Sequence, residues 1–172
     1  MDGEHKFYNV SERYMDFETV FTRICHFIKR DPRNLYRLSI GTDSQAHQKE
    51  TRFVTAIHIH RVGKGAWGCL HYKAIHQKLP TLREKIYLET QLSQEIACLF
   101  TAERMQKIWD LLHPYAHEGA GFVMEIHLDI GNDGLTKEFI SDMTRKIREM
   151  GLTAKIKPDS YADFSYANRY TK

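Results

Sequence analysis

Residues 35–77 read LYRLSIGTDSQAHQKETRFVTAIHIHRVGKGAWGCLHYKAIHQ, and the alternation and turns in this stretch decide the fold. From Leu35 to Asp43, Tyr36, Leu38 and Ile40 alternate with Arg37, Ser39 and Gly41, and the run stops at Asp43-Ser44-Gln45. That period of two predicts a first strand. Arg52 to Val62 carries Phe53, Val54, Ile57, Ile59 and Val62, rich in β-branched side chains, and Gly63-Lys64-Gly65 supplies a turn. Trp67 to Gln77 then returns with Leu70, Tyr72 and Ile75. Connections this short join antiparallel strands, so the stretch is expected to form a meander.

Upstream, Phe17, Val20, Phe21, Ile24, Phe27 and Ile28 recur at three and four, which predicts an N-terminal helix over about 16–30, closed by Asp31-Pro32. Downstream, Thr81 and Glu84 have the spacing of a reciprocal capping box. A helical segment is expected from Leu82 to Leu112, with a break near Thr101 and a stop at His113-Pro114, followed by a loop over Glu118–Gly121. Phe122, Met124, Ile126, Leu128 and Ile130 share one parity and read as a buried fourth strand entering the turn Gly131-Asn132-Asp133-Gly134. Leu135, Phe139, Ile140, Met143, Ile147 and Met150 mark a helix with Gly151 just past its end. Thr153–Lys157 is expected as a short fifth strand, and Pro158–Lys172 as a final short helix capped by Asp159 or Ser160. Two strand-helix crossovers after a meander give an α/β fold: a mixed five-stranded sheet, strands one, four and five parallel, with helices on both faces.

The chain has 172 residues, which fits one domain over 1–172 and hardly two independent cores. Hydrophobic residues at 42% against 27% charged give a globular balance, and with only 4 Pro no linker stands out. The N-terminus lacks the basic start and apolar core of a secretion signal, and no apolar run reaches the length of a membrane span. Cys25, Cys69 and Cys98 form no CxxC pair, so they read as reduced thiols of a cytoplasmic protein without membrane attachment. A formal charge of +3 is compatible with a polyanionic partner without demanding one.

In parallel α/β sheets the functional crevice lies beyond the carboxyl ends of the strands. Asp43 ends strand one and Asp129 nearly ends strand four, so neighbouring strands would bring both to one edge. Either Asp alone is as well explained as a turn cap. Glu89 discriminates: it lies seven residues after Leu82, three after Ile86, three before Leu92 and seven before Ile96, on the apolar stripe of its helix. A carboxylate there is costly to bury unless it is paired or binds metal, the bland alternatives being a solvated place at the edge of the stripe or a pair with Arg83 or Lys85. Asp159, in the loop after strand five, would join from the next strand end, with Asp163 one turn further on. Carboxylates so gathered repel each other unless cations neutralise them, and hard oxygen ligands select Mg2+ or Mn2+. Two such ions would clamp a phosphodiester for in-line hydrolysis.

Three motifs in this order carry a resemblance: Ile40-Gly41-Thr42-Asp43-Ser44-Gln45; His127-Leu128-Asp129-Ile130-Gly131; and Lys157-Pro158-Asp159-Ser160-Tyr161-Ala162 with Arg169-Tyr170-Thr171-Lys172. The chain resembles, over nearly its whole length, the YkuK-like family of ribonuclease H-like proteins, a bacterial group regarded as nucleases by prediction. The resemblance implies a ribonuclease H-like fold with Asp43, Asp129 and Asp159 in metal-binding positions. The C-terminal motif departs from the family pattern, with Asp163 where a small residue is usual and Asn168 where an acidic residue is common. Asn168 can still coordinate through its carbonyl but brings no charge.

The expectation is therefore a nuclease acting on RNA or DNA, with Asp43, Glu89, Asp129 and Asp159 as catalytic metal ligands. Ser44, Gln45, Lys157, Tyr161, Arg169 and Lys172 are the candidate substrate contacts, since positive charge and aromatic faces near the carboxylates suit a nucleic-acid groove. Asn168 favours an alternative, a catalytically silent nucleic-acid-binding or assembly module, and a hydrolase of small phosphoesters is a third possibility. His58 and His60 share a strand face at a spacing that can bind metal, but no third ligand is evident, and alternating polar residues on a solvated face explain them as well. His127 shares parity with Asp129 and reads as a structural histidine. A phosphate-binding glycine loop and a serine-hydrolase triad are both disfavoured.

Overall fold

Helical periodicity around the 35–77 hairpins is realised as α1 (Phe17–Lys29), with Asp16 accepting from the Thr19 amide as its N-cap. The computed structural model describes residues 4–131 and 134–157. The meander follows as β1 (Leu35–Ala46), β2 (Thr51–Arg61) and β3 (Ala66–Ile75), then α2 (Leu82–Ala97), α3 (Ala102–Leu112), β4 (Gly121–His127), α4 (Lys137–Glu149) and β5 (Thr153–Lys155). These strands form one sheet in the order β3-β2-β1-β4-β5. β1 is antiparallel to β2 and parallel to β4, and β4 is parallel to β5, as a meander with two crossovers requires.

Several boundaries differ from the sequence reading for physical reasons. β1 runs to Ala46 rather than stopping at Asp43, because Ser44, Gln45 and Ala46 keep pairing with Phe53, Arg52 and Thr51 down the hairpin. The expected break near Thr101 is present: α2 ends at Ala97, and Thr101 accepts from the Arg104 amide to start α3. His113–Glu118, with Pro114 in its first turn, winds on as a 3-10 segment. β4 ends at His127, although the Leu128 amide still donates to the Lys155 carbonyl at 2.8 Å. The segment read as a C-terminal helix lies outside the described residues.

All four described helices share one core with a single sheet face, where Tyr36, Leu38, Ile40, Ile57, Ile59, Met124, Ile126 and Leu128 are buried; helices were expected on both faces, but among the described residues they cover one, because the apolar parity of β1, β2 and β4 falls on that side. Among the described residues, the opposite face carries a small cluster, Val54, Ala56 and Leu70, beside a polar band that includes Arg37, Ser39, Glu125 and His127. The N-terminal segment closes the outer edge, Tyr8 pairing antiparallel with Leu70 of β3.

Candidate metal and phosphodiester site

Asp43 and Asp129 each lie two residues beyond the last paired residues of the parallel β1–β4 ladder, Gly41 and His127. Neighbouring strands therefore deliver both carboxylates to the same end of the sheet. Side-chain alternation turns Thr42 and Ser44 toward α2 and Asp43 the other way. Thr42 makes hydroxyl contacts of 2.8 Å to Thr55 and 2.7 Å to Ser93, and the Ser44 hydroxyl donates to Glu89 Oε1 at 2.6 Å. This buried polar seam docks α2 on β1 and fixes where Glu89 stands.

Glu89 is 4% exposed. Burial, opposed by the Ser44 hydrogen bond and Lys85 but reinforced by Asp43 and Asp129, pushes its carboxyl up to about 8. Asp43, half-buried, accepts from the Ser44 amide at 2.9 Å. Its carboxyl is also raised, first by burial and further by Asp129, while the Ser44 amide, Lys85 and Lys157 act the other way. The three acids thus sit within electrostatic reach of one another. Glu89 holds its proton at neutral pH chiefly because burial disfavours its charged form, with Asp43 and Asp129 adding to the effect.

Asp129 has a cation of its own. Lys157 Nζ stands 2.6 Å from Asp129 Oδ1, an ion pair in which the aspartate side chain is 17% exposed. Gln45 is exposed on β1 beside this edge, whereas Ser44 is buried against Glu89. Asp159, Tyr161, Asp163, Asn168, Arg169 and Lys172 lie outside the described residues. In kind and charge, three carboxylates suit a hard divalent cation. In placement they are not a ready cage: among the described residues no group of three or more His, Cys, Asp or Glu side chains has the geometry to hold a metal ion.

Behind Asp129 on the same strand parity lies a polar chain, with Glu125 and His127 buried and Arg37 partly exposed, that the sequence reading did not single out as a group. Arg37 Nε is 3.4 Å from Glu125 Oε1, and Glu125 Oε2 is 2.9 Å from His127 Nε2. Burial lowers the His127 pKa against the pull of Glu125. The available signal was the parity of Glu125, His127 and Asp129, but an alternating acid on a strand ordinarily faces solvent. His58 and His60 stack with ring centroids 6.2 Å apart, and burial, with His60 and His127 nearby, lowers His58 to about 4.

A β3-β2-β1-β4-β5 mixed sheet with acids at the carboxyl ends of its central parallel strands defines a ribonuclease H-like α/β protein. The profile of the ribonuclease H-like family matches residues 19–172, and the chain belongs to that family. Within it the chain is YkuK-like: it is 54% identical over 166 residues, 96% of each chain, to the uncharacterized protein YkuK of Bacillus subtilis (strain 168). No solved structure matches it significantly. Family membership points to a nuclease or a nucleic-acid-binding module. Among the described residues, no helix is long and apolar enough to cross a membrane.

Proposed function

We propose that the protein is a divalent-metal-dependent nuclease that hydrolyses phosphodiester bonds of RNA or DNA at the sheet edge shared by Asp43, Glu89 and Asp129. The observation that carries this reading is convergence: Asp43 and Asp129 emerge side by side two residues past the β1–β4 ladder, and Glu89 on α2, buried and held by Ser44, stands within electrostatic reach of both. Asp43, Glu89 and Asp129, with Asp159 from the following segment, would hold Mg2+ or Mn2+. The ion would activate water for in-line attack and steady the leaving oxygen.

The chain's own groups prepare that chemistry. Ser44 orients Glu89 toward the edge through its 2.6 Å hydrogen bond, and Glu89 must release its proton when a cation binds, so loading is favoured as pH rises toward 8. Gln45 lies on the exposed strand beside the acids, and Lys157, Tyr161, Arg169 and Lys172 would receive the phosphate backbone and stack on bases. The chain acts as one domain in the cytoplasm, in keeping with the free thiols Cys25, Cys69 and Cys98.

The test is cleavage of RNA, DNA and hybrid duplex with Mn2+, comparing wild type with Asp43→Asn. Loss of about 100-fold or more in rate is expected from removing a metal ligand. Cleavage by the variant equal to wild type rejects the assignment. A second reading, a nucleic-acid-binding or assembly module without turnover, is favoured by the Lys157–Asp129 pair. It is distinguished by nucleic-acid binding that persists with no manganese uptake.

A further inference from the structure

The sheet face turned away from the helices carries an aromatic patch in line with Asp43. Directly paired residues on neighbouring strands share a face, and the register sets Asp43 opposite Val54 and Val54 opposite Tyr72. Two strand spacings, about 10 Å, therefore separate Asp43 from Tyr72 along one line across the sheet. Tyr8, paired with Leu70, brings its ring to the same face at the outer edge of β3. Its ring centroid lies 5.8 Å from that of Tyr72 and 5.2 Å from that of Tyr14, in edge-to-face contact with both.

Tyr14 reaches this place through an unusual backbone. It stands at φ +55°, a left-handed conformation in which Cβ crowds the carbonyl oxygen, and among the described residues no other non-glycine residue has a positive φ. The fold holds that strain although the ring it positions is 72% exposed, and Tyr72 beside it is 44% exposed. Charge on this face is divided in the same way. Among the described residues, the positions of β2 and β3 on this face hold Arg52, His58 and His60 and no acid, whereas Asp43, Glu125 and Asp129 stand on β1 and along β4. Arg52, next to Val54 on the same face, keeps its side chain 61% exposed while pairing with Glu50. Exposed rings with cations beside them, continuous with an acid edge, match a strand of bases and phosphates better than an apolar partner.

We propose that Tyr72, Tyr8 and Tyr14 form a stacking platform for the bases of a single-stranded nucleic acid, whose backbone crosses β2 from Asp43 to the outer edge of β3. The inference rests on the reading above that this edge acts on nucleic acid, and it names the substrate class. Bases paired in a duplex keep their faces in the stack, so only unpaired bases can lie on the tyrosine rings.

The test is fluorescence anisotropy of labelled RNA and DNA oligonucleotides, single-stranded, duplex and abasic, with the full chain in EDTA so that no metal takes part. Tyr14→Asn removes the ring and supplies a residue that accepts positive φ, so it should melt no lower than wild type yet bind single strands about tenfold more weakly. Tyr72→Thr, which keeps strand propensity, should weaken the same binding, and Tyr14→Phe should restore it. Duplex and abasic strands should not distinguish Tyr14→Asn from wild type. Single-strand affinity unchanged in both folded variants that lack a ring, or wild type binding duplex as tightly as single strands, overturns the inference. A dimer that Tyr14→Asn dissolves in sedimentation, with oligonucleotide binding unchanged, assigns the patch to a second copy of the chain and overturns it as well. Ring-dependent binding without Mn2+-dependent cleavage supports the platform and overturns the nuclease reading alone.

Discussion

Glu89 is the residue at which folding and function pull against each other. The folded chain holds its proton up to about pH 8, whereas an unfolded carboxyl releases it near 4.5. Between those values the folded state binds more protons than the unfolded state, so stability falls as pH rises through the window. Glu89→Gln keeps an oxygen for the Ser44 hydroxyl and removes the charge. Without metal it should match wild type below pH 4.5 and exceed it by about 2 kcal/mol at pH 8 and above, as read by urea denaturation at the two pH values. A variant whose advantage is the same at both would show that the charge of Glu89 is not what limits stability. Its inward position was legible from its place on the apolar stripe of α2. The Lys157–Asp129 pair was not, because pairing after β4 shifts: the Lys157 amide bonds to Ile130, and no count of residues from β5 reveals that step.

At the scale of elements, local chemistry marks the helix ends most clearly. The capping box of Thr81 and Glu84 forms as its spacing required, and Thr136 caps α4. α4 closes in a Schellman motif, with the Leu152 amide on the Ile147 carbonyl at 3.4 Å, the Gly151 amide on the Arg148 carbonyl at 2.9 Å, and Gly151 at φ +78°. Gly151→Ala should cost about 1 kcal/mol in denaturant unfolding and leave manganese binding unchanged, since it precedes β5 at the opposite end of the sheet from Asp43. An unaffected midpoint would mean that the turn relaxes without needing a left-handed residue. Strand ends were less legible. Asp43-Ser44-Gln45 reads as a stop because Asp and Ser favour turns, yet the hairpin register with β2 carries pairing on to Ala46. The 3-10 segment at His113–Glu118 also escaped the reading, since Pro114 signals the end of an α-helix and not the tighter turn that follows.

For the whole molecule, the meander and the two crossovers were legible from alternation, glycine turns and helical periodicity, while the sheet order that makes β1 and β4 neighbours came with the register itself. Those local signals left few topologies open. Two of the three acids followed from that order, because residues two past Gly41 and His127 must emerge side by side on parallel neighbours. The polar chain Arg37–Glu125–His127 behind them was hidden by the same alternation, for a buried charged strand face and a solvated one look alike until partners are known. The account stands on Asp43, Glu89 and Asp129 forming one cation site, and anomalous diffraction from crystals soaked in manganese chloride tests it most directly. The expected result is manganese density bonded to the carboxylates of Asp43, Glu89 and Asp129. Density confined to the His58–His60 pair, or no peak at Asp43 in saturating manganese, would contradict it.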